Sequence, residues 1–300
     1  MQHALFPRAA ALAETTWSRA PRDFASFANR LSPQVARWRR GGIEVADSAF
    51  AVGYTLQGSR GDALRTGKAT VALATQVPVG TIRYTLDGSA PTAQSAAYAT
   101  PLTVAPGVTI KAAAFDADGI ATAKVRDFAT SRFALLSRTP SDLIACPGRS
   151  FGLRMPMTVD AETNGPAVNI GVFDTCSVYP AAPLDVAGGF TVDVARIARN
   201  FGLAHDTADV RQHFRVTPYG ELLVSLGCRD TSGRAPAKDA PPTKVLASFP
   251  LPDPATAPTR MTFSATLPRM TGDHDLCFQF TSPAEGPNYA PLSVQLTERR

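Results

Sequence analysis

The sequence predicts a mainly β protein: two β-sandwich domains behind a short helical segment. Three observations carry this reading. Apolar residues alternate with period two through residues 43–136, short strand-like runs continue to residue 300, and only residues 7–40 repeat with helical spacing. The 25 prolines and 22 glycines are spread along the chain, as the many turns of small sandwiches require. The expected divisions are 1–42, 43–136 and 137–300. Three hundred residues accommodate two or three domains of about 100–200 residues each.

In the helical segment, Pro7 suits a first helical position, and Ala9, Ala10, Ala11, Leu12 and Ala13 are good helix formers up to Trp17. Ser18 is the expected cap of a second helix, with Pro21 in its first turn and Asp23 near its positive end. Phe24, Phe27, Leu31 and Val35 then form an apolar stripe that needs a partner surface. Two short helices cannot bury it alone, so residues 1–40 are expected to be marginal and dispensable to the sandwiches. Gly41-Gly42 ends the segment.

The clearest strand signal in the first sandwich is Thr81–Thr85, where Ile82, Tyr84 and Leu86 alternate with Arg83 and Thr85 before a turn at Asp87-Gly88. Val108, Ile110, Ala112 and Ala114 alternate likewise before a turn at Asp116–Gly119. In the larger second sandwich, residues 222–226 and 276–280 read as core strands, and the Pro-, Ala- and Asp-rich stretch 234–258 reads as including an exposed loop.

Seven arginines against Glu14 and Asp23 give residues 1–42 the whole of the net charge of +5. Confined to two short helices, they read as solvated helix faces and not as a nucleic-acid footprint. No stretch approaches the roughly 20 apolar residues of a membrane span.

All four cysteines fall late, at Cys146, Cys176, Cys228 and Cys277, with no Cys-x-x-Cys pair, which argues against a zinc site. An even count in a β-rich region reads as two disulfides formed in an oxidising compartment. Three pairings are possible and spacing alone does not choose. The favoured one is Cys146–Cys176 with Cys228–Cys277, each closing a loop inside the last domain. Met1–Arg8 has no basic stretch followed by an apolar core, so no export signal is read there. That combination suggests a natural N-terminus further upstream.

No catalytic constellation emerges. His3, His205, His213 and His274 form no ligand-spaced cluster. His213 with Asp206 and Asp209 reads as polar loop, and Asp273-His274-Asp275 as a turn entering a strand. Gly-x-Ser-x-Gly and phosphate-loop patterns are absent, and no cofactor or metal is expected.

Phe6-Pro7-Arg8-Ala9-Ala10-Ala11-Leu12-Ala13-Glu14, followed by Trp17-Ser18, resembles the segment beyond the last barrel strand in glycoside hydrolase family 20; Asp23-Phe24, Phe27 and Arg30-Leu31 continue the match. Tyr84-Thr85-Leu86-Asp87-Gly88-Ser89-Ala90-Pro91-Thr92, with Tyr98, Pro101-Leu102 and the strand Thr109–Ala112, resembles the chitobiase/β-hexosaminidase C-terminal domain. Gly220-Glu221-Leu222, Gly227-Cys228 and residues 272–281 are similar to an extra C-terminal domain of some bacterial members, itself similar to galactose-binding jelly rolls. Where those domains carry tryptophans, this chain has Ser177-Val178-Tyr179 and Asn288-Tyr289. Tyr179 and Tyr289 are therefore the residues the resemblance offers for stacking on a sugar.

The resemblance implies a short α-helical remnant of a TIM barrel, an immunoglobulin/fibronectin-like sandwich, and then a jelly-roll/galactose-binding-like sandwich. It implies the C-terminal accessory portion of a periplasmic or extracellular β-N-acetylhexosaminidase, which removes terminal N-acetylhexosamine from chitooligosaccharides or glycoconjugates. Its partners would be the absent catalytic barrel and an N-acetylhexosamine-containing glycan. In that family an adjacent Asp-Glu pair performs substrate-assisted retention, the Glu protonating the leaving oxygen and the Asp orienting the acetamido group. No Asp-Glu dipeptide occurs in this chain, so no catalytic residue carries over. The alternatives are a free-standing carbohydrate-binding protein and a structural spacer.

Overall fold

In the computed structural model, which describes residues 2–19, 21–147, 153–156, 167–171, 176–198, 215–228, 243–283 and 285–299, helices come first and antiparallel strands follow. Two units form, Met1–Gly58 with Asp62–Arg132 and Ser59–Gly61 with Phe133–Arg300.

The N-terminal unit begins with α1 (Gln2–Leu5), α2 (Arg8–Trp17) and α3 (Phe24–Arg40). Asp23, and not Ser18, caps α3: its carboxylate accepts a hydrogen bond from the Ser26 N–H at 3.0 Å. Ser18 instead closes α2, its N–H donating to the Glu14 carbonyl at 3.2 Å. The alanine run therefore uses Ser18 as its stop, and the extended Asp23 opens the next helix. Pro7 sits one position ahead of α2, as its N-cap.

The partner surface for the α3 stripe lies in the same unit. Ala28, Leu31 and Val35 pack into one cluster with Val45, Phe50, Ala51, Val77 and Ala123, and Phe6, Phe27 and Trp38 border it. Arg39 adds a hydrogen bond to the Thr122 carbonyl at 2.9 Å. The expectation that residues 1–40 lack a surface to pack on is thus corrected: the residues after Gly42 supply it. Phe24, at the start of the stripe, stays 62% exposed.

Behind the helices come β1 (Gly53–Gln57), α4 (Arg60–Thr66), β2 (Ala69–Ala74), β3 (Thr81–Thr85), β4 (Ala96–Ala97), β5 (Leu102–Val104), β6 (Thr109–Phe115) and β7 (Arg126–Ala129). They form two antiparallel sheets, β1-β2-β5 and β4-β3-β6-β7. The alternation read from the sequence is the core pattern, with Ile110, Ala112 and Ala114 fully buried. Gly80 at the entry to β3 has φ +81°, and a Cβ there would meet the Phe115 carbonyl oxygen at 2.5 Å, so only glycine fits. The seven-residue helix α4 is an element that the period-two reading missed.

The chain then runs through α5 (Arg132–Leu135), β8 (Ser137–Arg138), β9 (Ile144–Ala145), β10 (Leu153–Pro156), β11 (Ala167–Ile170), β12 (Cys176–Pro183) and β13 (Ala187–Ile197). After these come β14 (Glu221–Leu226), β15 (Lys244–Pro250), β16 (Arg260–Thr266), β17 (Asp273–Phe280) and β18 (Asn288–Glu298). A five-stranded sheet, β15-β14-β17-β12-β9, and a four-stranded sheet, β16-β13-β18-β8, make up most of the C-terminal unit, with β10-β11 as a separate pair.

Phenylalanines join the two larger sheets face to face. Phe190 of β13 meets Phe278 of β17 edge-on at 5.6 Å between centroids, and Phe249 of β15 at 6.2 Å. Such pairs add about 0.5–1.5 kcal/mol beyond the area they bury. Leu222, Val224, Phe280, Val192 and Val194 fill the same layer and are all buried. The fold is therefore mainly β with sandwich packing in this unit. In the stretch read as a loop, residues 244–250 form β15, where Phe249 points inward; residues 234–242 lie outside the described residues.

Candidate functional site

Tyr179 and Tyr289 occupy inward positions and present no face to a ligand. Tyr179 stands opposite Leu276 across the β12–β17 ladder and is fully buried, its hydroxyl donating to the Leu136 carbonyl at 3.0 Å. The Arg138 guanidinium lies over its ring at 4.2 Å and donates to the carbonyls of Leu135, Ser137 and Pro180. Burial pushes the Tyr179 hydroxyl up to about 12, against the pull of Arg138, and pushes Arg138 down to about 10. Tyr289 is 1% exposed and stacks on Phe280 at 5.5 Å. The sugar-stacking assignment is corrected for both: each ring is a core ring, placed by strand register.

The opposite face of the five-stranded sheet carries the cysteines. Cys277 lies across from Val178 on one side and Ser225 on the other, and Cys176 across from Gln279. These positions alternate with the inward Leu276, Phe278 and Phe280. Disulfides join Cys146 to Cys176 and Cys228 to Cys277, with Cα separations of 5.6 and 5.3 Å. All four cysteines pack into one cluster with Val178.

A buried carboxylate braces one end of this sheet. Glu221, 3% exposed, accepts hydrogen bonds from the N–H groups of Val216 and Thr217 and from the Thr281 hydroxyl at 2.6 Å. Burial raises its pKa, but these donors together outweigh that and hold it below the ordinary glutamate value. The preceding Gly220 has φ +86° and approaches the Thr281 carbonyl so closely that a Cβ would stand 2.5 Å from it.

In the Asp273-His274-Asp275 motif, Asp275 accepts from the Ala181 N–H at 2.9 Å, where the backbone adopts φ 52°. The His274 ring contacts the Thr271 carbonyl at 3.0 Å. The three residues read as a turn entering a strand are themselves the first residues of β17, paired with the end of β12. His205, His213, Asp206 and Asp209, and the side chain of His3, lie outside the described residues.

The N-terminal unit holds a groove between α2 and α3. Trp17, Trp38, Phe27, Leu31, Glu14 and Arg30 line it, around a volume of about 560 Å³. Arg30 grips Glu14 with two hydrogen bonds, of 2.6 and 3.1 Å, and that grip lowers the Glu14 pKa. Trp17 is 87% exposed and Leu12 65%. Phe24, at the start of α3, is exposed as well. Both tryptophans of the chain thus meet here, a convergence that depends on how α2 and α3 cross.

Residues 61–126 match the model of the chitobiase/β-hexosaminidase C-terminal domain. No curated protein matches the chain. Among solved structures, CsCBM6-3 from Clostridium stercorarium, determined with cellobiose, is 16% identical over 54% of this chain and 97% of that one, with a TM-score of 0.28. A glycoside hydrolase family 43 arabinoxylan arabinofuranohydrolase from Bacillus subtilis is 12% identical over 78% of this chain and 48% of that one, with a TM-score of 0.30. At these TM-scores neither likeness bears on function.

Proposed function

We propose that this chain is the non-catalytic C-terminal accessory portion of a family 20 β-N-acetylhexosaminidase, an enzyme that removes terminal N-acetylhexosamine. The observation that carries the reading is the match of residues 61–126 to the chitobiase/β-hexosaminidase C-terminal domain. Earlier in the chain, the Phe6–Glu14 and Trp17-Ser18 motif spans α2 and the residues flanking it, and it resembles the segment after the last barrel strand of family 20 enzymes. Residues 1–42 are then barrel remnant, 43–136 the accessory sandwich and 137–300 the last domain. The catalytic barrel would cover the exposed Trp17 at the α2–α3 groove and the exposed Phe24 at the start of α3. Two disulfides fit a periplasmic or extracellular home.

A free-standing sugar-binding protein needs exposed rings on its sandwiches. The burial of Tyr179 and Tyr289 withdraws the two residues that reading had. The purified chain is expected to release no chromophore from a chromogenic N-acetylglucosaminide. Turnover above a blank that follows the protein through a second purification would overturn the proposal.

A further inference from the structure

The two disulfides lie side by side, although joining cysteines 30 and 49 residues apart requires nothing of the kind. The Sγ atom of Cys228 lies within 4.8 Å of the Sγ atoms of both Cys146 and Cys176. One sulfur of the second bridge is thus in reach of both sulfurs of the first. Strand pairing sets this up. β12 lies between β9 and β17, with Cys176 at its start opposite Gln279 and Cys146 directly after the two-residue β9. Gly227, with φ 71°, turns the chain after β14 so that Cys228 reaches Cys277 on β17. The sulfurs differ in access: Cys146, Cys176 and Cys277 are buried, whereas Cys228 is half-buried.

We propose that the two disulfides form an exchange pair: reduction enters at Cys228–Cys277, and Cys228 then takes over Cys176, leaving Cys146 as a free thiol. The proposal rests on sulfur positions within the C-terminal unit and is independent of the hexosaminidase reading. Exchange proceeds by attack of a thiolate on a disulfide sulfur, and its rate depends on which sulfur the attacker can reach. An external dithiol therefore attacks at Cys228, and Cys277 leaves. The second sulfur of the dithiol closes on its first, giving a cyclic disulfide and releasing the Cys228 thiolate. Two electrons and two protons have then passed from the dithiol to the protein.

In the next step Cys228 Sγ bonds to Cys176 Sγ, the Cys146–Cys176 bond breaks, and its electron pair leaves on Cys146. Cys146 takes up the proton that Cys228 gave up, so this step is redox-neutral. Cys146 is the sulfur that leaves because β12 is paired on both edges and holds Cys176, while β9 contributes only two ladder positions. A buried bridge thereby opens through a more accessible sulfur, and the edge strand β9 loses its covalent tie to β12.

The test is limited reduction of the full chain with a dithiol, an acid quench, alkylation, and peptide mapping with the remaining bridge intact. The expected one-bridge species carries Cys176–Cys228, with Cys146 and Cys277 alkylated. In Cys277→Ser, where Cys228 starts as a thiol, the same bridge should form at mildly alkaline pH without any reductant. Replacing Cys228 and Cys277 together by serine should slow the opening of Cys146–Cys176 by dithiol at least about tenfold. A thiolate held in place reacts at a far higher effective molarity than one in solution. Should either variant lose its β-sheet circular dichroism, the mapping of the native chain decides alone. A one-bridge species with Cys146–Cys176 kept and Cys228 and Cys277 alkylated would overturn the proposal, as would a Cys146–Cys228 bridge in its place. Equally fast opening in a folded double variant would do the same.

Discussion

Leu31→Ala should destabilise the N-terminal unit by about 2–5 kcal/mol, the usual cost of emptying a buried leucine site. Phe24→Ala, on the same stripe, should cost no more than about 0.5 kcal/mol, as exposed positions do. Leu31 is 8% exposed and packs with Phe50, Val45 and Val77, whereas Phe24 is 62% exposed. Deleting residues 1–40 goes further. It strips Ala28, Leu31 and Val35 from the cluster, together with the bordering Phe6, Phe27 and Trp38, and uncovers Phe50. Each large apolar side chain lost is worth about 1.5–3 kcal/mol, and several together rival the 5–15 kcal/mol that holds a domain folded. Native-state hydrogen exchange should show the β2 and β6 amides losing protection on deletion. Unchanged protection would return the helices to the dispensable role that the stripe alone suggested.

Glu221→Ala should cost about 3 kcal/mol, because hydrogen bonds to a charged group are worth about 1.5–3 kcal/mol and buried donors are left without their acceptor. The effect should depend on pH with a definite sign. The folded-state pKa of Glu221 lies below its ordinary value, so the carboxylate stabilises the fold fully above the unfolded-state pKa. That contribution disappears as pH falls through the folded value. Comparing the native chain with Glu221→Gln in urea at a series of pH values isolates it from Asp193 and Asp142, whose pKa values are also lowered. The stability gap should be widest near neutrality and close in acid. A gap that widens in acid would show that the protonated form is the one the site prefers.

The alternation around Thr109–Phe115 and the apolar run at residues 276–280 were legible because both are local properties, whereas residues 273–275, read as a turn, belong to β17. Helix α4 was not legible, since seven residues hold less than two full turns of periodicity. The inward direction of Tyr179 was not legible either: β12 is buried on both faces over its first four residues, so no polar alternation marks which side meets the other sheet. The meeting of four sulfurs follows from β9, β12, β14 and β17 lying in register, and the Glu14–Arg30 grip spans 16 residues across a helix crossing. Both are products of tertiary geometry. The family motifs, by contrast, sit in contiguous stretches, and the stretch at 61–126 matches a known domain.

The most direct measurement mixes this chain with a family 20 catalytic barrel that ends at its last strand, and follows turnover of a chromogenic N-acetylglucosaminide. The accessory reading predicts that the chain raises the activity and melting temperature of the barrel, and that Trp17→Ala with Phe24→Ala abolishes the gain. A barrel whose turnover and melting are the same with and without the chain would contradict it.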